Sequence, residues 1–145
     1  MTEEKTRYGA PTIYLSGAID HVTEEEAAGW RDAATRKLEE RGYRVLNPLK
    51  IEGREGMADE QIILADLKMI SKADALLVEM TRDDIPYVGT SMEIAYAWTL
   101  RFLPVVIWGK PKSIWARYHG PIAPTLDRAI DLVCAMVKRP TPQEN

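Results

Sequence analysis

The sequence predicts a doubly wound α/β domain, of the Rossmann-like or flavodoxin-like kind, with a parallel sheet of four or five strands and helices on both faces. Short β-rich apolar runs alternate with longer segments of helical periodicity, which is the pattern of such sheets. The 145 residues suit one domain spanning 1–145, with loose polar ends at about 1–10 and 139–145. Ligands of these folds collect at the carboxyl ends of the strands.

The first half of the chain predicts two strands and two helices. Thr12–Ser16 (TIYLS) is a β-rich run ended by Gly17. Thr23 and Glu26 form a capping box that opens a helix, and Gly42 ends it. A strand at 43–46, a long loop at 49–58, and a helix from Asp59 follow, the helix carrying an apolar stripe of Ile62, Ile63, Leu67, Ile70 and Ala73.

The second half continues the alternation. A buried strand is predicted at 75–78, followed by a polar loop and a helix at about 90–100. A strand at 104–108 and a final helix at about 125–137 complete the prediction. This order of elements brings three segments to the carboxyl edge of the sheet: residues 16–17, residues 79–89 and the start of the third helix.

Composition excludes several classes of function. The formal net charge is −3, with both signs scattered, so no basic patch for a nucleic-acid polymer is evident. One Cys and two His cannot assemble a zinc-type cluster, and we expect no metal. Because GxGxxG and GxxxxGK[ST] are absent, we expect no dinucleotide or other cofactor. Without a leader-like or membrane-spanning apolar run, we expect a cytoplasmic protein with no membrane partner.

Asp66 is the first candidate for chemistry. It stands on an apolar helical stripe, four residues from both Ile62 and Ile70, where a lone carboxylate would be costly to bury. It therefore either pairs with a Lys or Arg or lines a cavity at the ligand edge. Because most buried carboxylates in proteins are paired for structural reasons, an ion pair with a Lys or Arg is the favoured interpretation.

Glu93 is the second candidate, in the sequence VGTSMEIAYAW. Thr90 and Glu93 fit a capping box, in which the Glu side chain returns to the Thr90 amide, and local pattern alone favours that interpretation. The alternative is an ionised carboxylate on the first helical turn, aimed at a substrate. Such a carboxylate is a competent nucleophile toward a sugar carbon.

Aromatic residues give weaker signals. Tyr14 on the first strand is by default a core residue, although its hydroxyl could orient a carboxylate. Trp115 and Tyr118 lie in the aromatic segment SIWARYHG, which is suited to stacking on a flat ring or to contacting another subunit.

Three fragments together resemble the nucleoside 2-deoxyribosyltransferase family, which is related to deoxynucleoside 5′-monophosphate N-hydrolases. They are TIYLSGAI, ADLKMISKAD and YVGTSMEIAYA, in that order, and the likeness covers about 12–108. The resemblance implies a homo-oligomer, built from dimers and up to a hexamer, in which a neighbouring subunit completes each active site. We place that cross-subunit contact in 113–119.

The resemblance also implies roles for individual residues. Glu93 matches the nucleophile that attacks C1′ of a 2-deoxyribose, Tyr14 the residue that orients it, and Asp66 the residue that binds the base and helps move its proton. The implied partners are a small-molecule nucleoside and a free nucleobase. The residues expected to bind substrate are Ser16, Gly17, Asp20, Tyr87, Gly89, Ser91, Met92, Trp115 and Tyr118.

The sequence departs from the family pattern in two places. Tyr87 stands six positions before the nucleophile, where many transferases have an acidic residue, and this puts one substrate contact in doubt. Acidic residues follow the first strand, at Asp20 and at 24–26, where the monophosphate hydrolases are basic or Gly-rich. Their charge would repel a phosphate and favours a free nucleoside, although Ser16, Ser91 and Arg54 leave a nucleotide open.

Three functions follow from the sequence. The leading one is transfer of a 2-deoxyribosyl group between nucleobases through a covalent glutamyl intermediate. The second is hydrolysis of the N-glycosidic bond of a nucleoside or its 5′-monophosphate. The third is a non-catalytic nucleotide-binding or sensor domain. The sequence leaves open the base preference, the choice between ribose and 2-deoxyribose, and the oligomer size.

Overall fold

A computed structural model describes residues 10–137. It contains one five-stranded parallel sheet in the order β2-β1-β3-β4-β5, the flavodoxin-like arrangement. The strands are β1 (Thr12–Ser16), β2 (Arg44–Leu46), β3 (Ala75–Met80), β4 (Val105–Gly109) and β5 (Ile122–Ala123). The predicted fold class and the upper strand count are confirmed.

Five α-helices surround the sheet in the described part of the chain. They are α1 (Glu24–Glu40), α2 (Asp59–Ile70), α3 (Val88–Ala95), α4 (Ile114–Tyr118) and α5 (Leu126–Met136). Short 3₁₀ helices occur at Pro48–Lys50 and Arg54–Gly56, and a π-helical turn, Tyr96–Leu100, continues α3. None of the helices in 10–137 is both long and apolar enough to cross a bilayer.

The strand alternation builds a separate apolar core on each face of the sheet. Ile13 and Leu15 point toward α1 and α5, where Leu38 and Val133 pack on them. Tyr14 points to the opposite face, which α2 and α3 cover. Because successive side chains of a strand face opposite sides, this face also receives Ser16, the last residue of β1.

The predicted boundaries hold for most elements. Thr23 and Glu26 form the predicted capping box at α1, and Thr125 caps α5 through the Arg128 amide. The helix predicted from Asp59 ends at Ile70, before Ala73. Ile63, placed on its buried stripe by the sequence, is 57% exposed, because the buried face runs through Asp66 and Ile70 instead.

Two parts of the fold differ from the prediction. Residues 113–123 contain α4 and β5, where no element was predicted. The helix predicted from Thr90 begins at Val88, and its N-cap is Tyr87 in the left-handed region (φ 50°). The predicted loose ends lie outside the described residues, apart from Ala10.

Candidate active site

A cavity of about 590 Å³ opens at the carboxyl edge of the sheet. Its walls come from the loop after β1, the 3₁₀ segments before α2, one face of α2 and the start of α3. Glu93 and Asp66 both line it, as do four of the residues expected to bind substrate: Gly17, Asp20, Tyr87 and Gly89. The carboxyl edge is where the sequence placed the ligand site.

Two hydroxyls from β1 hold the Glu93 carboxylate. Tyr14 Oη donates to Glu93 Oε2 at 2.9 Å, and Ser16 Oγ donates to Oε1 at 2.7 Å. The side chain does not return to the Thr90 amide, so the capping interpretation favoured by the local pattern is wrong. Both oxygens are instead fixed next to the cavity, on the face of the sheet that α3 covers.

Burial dominates the electrostatics of Glu93. Desolvation raises the pKa of this carboxyl to about 7, and the negative charge of Asp66 adds to the increase. The hydrogen bonds from Ser16 and Tyr14 and the positive charge of Arg31 oppose it. Glu93 thus changes its ionisation near neutral pH, as carboxyl groups at functional sites often do.

Tyr14 is suited to donating a hydrogen bond rather than a proton. Burial raises the pKa of its phenol far above the usual value, and the negative charge of Glu93 raises it further. The hydroxyl therefore stays neutral and fixes the direction in which the Glu93 oxygens point. The resemblance implied that Tyr14 orients the nucleophile, and that role stays a prediction.

Asp66 both pairs with an arginine and lines the cavity, so both of the interpretations that the sequence left open are correct. Arg54 Nη1 donates to Asp66 Oδ1 at 2.8 Å, and Nη2 lies 3.4 Å from Oδ2. The two side chains are 15% and 12% exposed. Arg54 thus offsets most of the cost of placing the Asp66 charge in the cavity wall.

Arg31 is a residue at this site that the sequence analysis missed. It is fully buried, lines the cavity, and donates to Gly17 O at 2.9 Å and to Ala27 O at 2.8 Å. Its Nε has no partner among the described residues. A usable signal was present, since Arg31 continues the buried stripe of Ala27, Ala34 and Leu38 at helical spacing.

Tyr87 anchors the start of α3. Its hydroxyl donates to Glu79 Oε2 at 2.6 Å and accepts from the Arg82 amide at 3.0 Å. Glu79, a buried carboxylate near the end of β3, also accepts from the Thr81 amide and hydroxyl. Burial and the bond to Glu79 raise the pKa of the Tyr87 phenol, which keeps it a neutral donor.

Five of the nine residues expected to bind substrate do not line the cavity: Ser16 is buried and donates to Glu93, and the other four are exposed. Ser91 is exposed, and Met92, Trp115 and Tyr118 are 67%, 76% and 69% exposed. The ring of Tyr118 packs edge-on against Trp98, with centroids 5.2 Å apart. Within one chain, these four side chains therefore lie outside the cavity wall. Their assignment to substrate stays a prediction.

The described residues contain no cluster of three or more His, Cys, Asp or Glu side chains that could hold a metal ion. The charged side chains at the cavity include an arginine-paired carboxylate, a buried arginine and the hydroxyl-bound Glu93. In chemical terms, the site offers an oriented nucleophilic oxygen beside a polar donor and acceptor pair.

Comparison with known proteins adds a family and a fold. The family model described as nucleoside 2-deoxyribosyltransferase matches residues 13–113. No curated protein matches the sequence.

Solved structures with the same fold include two enzymes. The 2-deoxyribosyltransferase of Bacillus psychrosaccharolyticus is 21% identical, with a TM-score of 0.54 over 71% of this chain and 75% of that one. The 2-deoxyribosyltransferase of Leishmania mexicana is 18% identical, with a TM-score of 0.58 over 80% and 76%. A conserved protein of Enterococcus faecalis is 14% identical, with a TM-score of 0.69 over 88% and 99%.

Proposed function

The chain belongs to the nucleoside 2-deoxyribosyltransferase family, and we propose that it transfers a 2-deoxyribosyl group between nucleobases through a covalent ester on Glu93. The observation that carries this proposal is the Glu93 carboxylate itself. It is bound by the Tyr14 and Ser16 hydroxyls and lines the cavity. A carboxylate held in this way is oriented before the substrate arrives, which lowers the entropic cost of attack.

The proposed reaction has two matching steps. A Glu93 oxygen bonds to C1′ of the nucleoside while the C1′–N bond breaks and its electron pair stays on the base, which then takes up a proton. A second base attacks C1′ through a ring nitrogen, loses its proton, and releases Glu93 as a carboxylate. Tyr14 orients Glu93 in both steps, and Asp66 binds the base and helps move the proton.

The charges at the cavity favour a free nucleoside as the substrate. Asp20, Asp59 and Asp66 line the cavity together with Glu93, against the two arginines Arg31 and Arg54. A dianionic phosphate placed among these carboxylates would be repelled. A neutral nucleoside carries no such penalty.

Base exchange and mass spectrometry test the function together. We expect a 2′-deoxynucleoside with a second free base to give the exchanged nucleoside, and intact mass to show one deoxyribosyl adduct lost in Glu93→Gln. Free sugar released equally fast with and without the second base would make the protein a hydrolase. Binding of a nucleoside without turnover would make it a sensor domain.

The pH dependence follows from the burial of Glu93. The attacking carboxylate must be ionised, and its pKa is about 7 rather than the ordinary 4.5. We therefore expect kcat/KM to fall tenfold per pH unit below an apparent pKa of about 7. Tyr14→Phe removes a hydrogen bond that stabilises the anion, so this acid limb should move to higher pH. An acid limb near pH 4.5 in the wild type would contradict the assignment.

We also propose that a second copy of the chain covers an apolar surface outside the cavity wall. This surface contains Met92, Phe102, Ile114, Trp115 and Tyr118, all more than half exposed. Ile114, Trp115 and Tyr118 share the short helix α4, and Tyr118 packs against Trp98, which is itself 37% exposed. Large exposed apolar patches mark interaction surfaces. Because Met92 lies on α3, whose first residues line the cavity, a second copy that covers Met92 would approach the site.

Trp115→Glu tests this assembly. A charge in place of this exposed aromatic ring should shift the protein toward monomer in sedimentation velocity and lower kcat/KM at dilute protein concentration. Ala135→Glu adds the same charge at an exposed position of α5, on the opposite face of the sheet. It should change neither the sedimentation behaviour nor kcat/KM. A monomeric wild type with full activity would rule out the shared site.

A further inference from the structure

Arg54 presents hydrogen-bond donors to the cavity that no residue uses. A guanidinium has five N–H groups. Two of them are directed at the Asp66 carboxylate and a third at Pro48 O, 3.3 Å away. The Nε–H and the second Nη2–H have no partner within residues 10–137, although the side chain is only 15% exposed and lines the cavity.

The local backbone holds this arginine in place. Arg54 begins a 3₁₀ turn directly after Gly53, whose φ of 76° reverses the chain at that point. The bond from Arg54 to Pro48 O ties the two ends of the segment together, and Pro48 itself also lines the cavity. The free donors are therefore pre-positioned rather than carried on a mobile side chain.

Together, Arg54 and Asp66 form a unit that donates on one side and accepts on the other. Asp66 is an acceptor only, and each of its oxygens retains a lone pair beyond the bond to Arg54. The ion pair as a whole carries no net charge. A planar ring with an acceptor atom next to an N–H group complements this unit, and the edge of a nucleobase has that arrangement.

We propose that Arg54 is a catalytic residue that binds the exocyclic oxygen of the departing base, so that the enzyme prefers oxo-substituted bases to amino-substituted ones. This inference rests on the proposed function, because it assigns the leaving group of that reaction. The donors of Arg54 meet an acceptor in an oxo-base. In an amino-substituted base, the exocyclic group at the same position brings its own N–H toward them.

The charge that develops during the reaction explains why the contact is catalytic. When C1′ bonds to Glu93, the negative charge of the carboxylate moves to the base together with the electron pair of the broken C1′–N bond. In an oxo-base, this charge spreads onto the exocyclic oxygen, where the Arg54 donors stabilise it before a proton from water reaches the ring. The interaction is therefore stronger in the transition state than in the bound nucleoside.

The test compares two nucleosides that differ at one substituent, 2′-deoxyinosine with an oxo group and 2′-deoxyadenosine with an amino group. In the wild type, kcat/KM should be higher for deoxyinosine. In Arg54→Met it should fall by roughly 10² to 10³ for deoxyinosine and by no more than about tenfold for deoxyadenosine. Arg54→Lys keeps the charge without the planar fork and should show an intermediate loss.

Controls separate this role from a purely structural one. Lys50→Met changes an exposed cation in the same segment that does not line the cavity, and it should leave the substrate ratio unchanged. If Arg54 only held Asp66 in place, the substitution would lower kcat/KM for both substrates by the same factor. An unchanged ratio in Arg54→Met, or in Arg54→Lys if the methionine variant does not fold, overturns the inference.

The sensitivity to leaving-group acidity gives a second readout. Across a series of bases, kcat/KM should depend more steeply on the acidity of the base in Arg54→Lys than in the wild type, because less charge is stabilised by the protein. An equal slope in both proteins would contradict the proposal. A wild type that transfers no deoxyribosyl group from any nucleoside refutes the proposed function itself, whereas turnover with an unchanged ratio refutes only the role of Arg54.

Discussion

Glu93→Gln is expected to lower kcat for deoxyribosyl transfer by at least about 10⁴-fold, because an amide oxygen does not form the ester intermediate. The substitution preserves shape and both contacts, since the amide accepts from one of the Tyr14 and Ser16 hydroxyls and donates to the other. The loss therefore falls on the chemical step. Nucleoside affinity, measured by calorimetry, should change little.

The same substitution should stabilise the fold above neutral pH. The pKa of Glu93 is about 7 in the folded protein, against 4.5 for an unperturbed glutamate. The folded state therefore binds the proton more tightly, and the free energy of unfolding declines as pH rises from about 4.5 to 7. Above that window, the ionised form costs about 3 kcal/mol, an order-of-magnitude figure.

Thermal unfolding at two pH values checks this prediction. At pH 8, Glu93→Gln should raise Tm by several degrees, at roughly 2–4 °C per kcal/mol for a chain of this size. At pH 4 the gain should disappear, because both side chains are then uncharged. Glu60→Gln, an exposed position on α2, should change neither Tm nor kcat. Equal Tm gains at both pH values would show that burial of charge is not the cause.

The fold was predictable because its main signals are local. The alternation of apolar strands with helical stripes specifies a parallel sheet, and the Thr23 capping box marks the start of α1. β5 lacks such a signal, since it has two residues, one of which is exposed. It forms only because β4 offers a free edge, with which Ile122 and Ala123 pair.

The candidate site was less predictable because its contacts are distant in sequence. Thr90 and Glu93 satisfy the capping pattern, yet the carboxylate binds hydroxyls 79 and 77 residues away, on Tyr14 and Ser16. Burial in the cavity wall makes those two hydrogen bonds worth more than an exposed cap. The four-residue capping pattern contains no information about these distant hydroxyls, so it could not predict which hydrogen bonds Glu93 forms.

The partner of Asp66 illustrates the same limit. The apolar stripe around Asp66 indicated that the carboxylate must either pair or line a cavity. It could not indicate Arg54, because the pairing depends on the turn at Gly53 that brings the loop over α2. Nor does helical spacing show that Arg31 donates to two backbone carbonyls, one of them that of Gly17 in the neighbouring loop.

Gly109→Ala is expected to have the largest effect on stability, a loss of at least about 3 kcal/mol. Gly109 ends β4 with a φ of 135°, which residues with a side chain rarely adopt. A Cβ added there would lie 2.1 Å from Met80 O and 2.9 Å from the Thr81 amide nitrogen. Met80 pairs with Gly109 in the sheet, so neither strand can move aside without breaking its ladder.

The matched control is Gly29→Ala, at an exposed position within α1. A Cβ there meets no atom within 4 Å, and alanine should stabilise the helix by up to about 1 kcal/mol. Chemical denaturation of both variants measures the two free energies of unfolding. Equal stabilities would show that the backbone at β3 and β4 is more adaptable than its geometry indicates.

The consequence of Gly109→Ala should also reach the active site. The Thr81 amide that a new Cβ would displace donates to Glu79, and Glu79 in turn accepts from the Tyr87 hydroxyl. Tyr87 sets the start of α3, the helix that carries Glu93. Below the Tm of the variant, kcat should therefore fall while Gly29→Ala keeps the wild-type value. Full kcat in folded Gly109→Ala would show that Glu93 is positioned by its two hydroxyl partners alone.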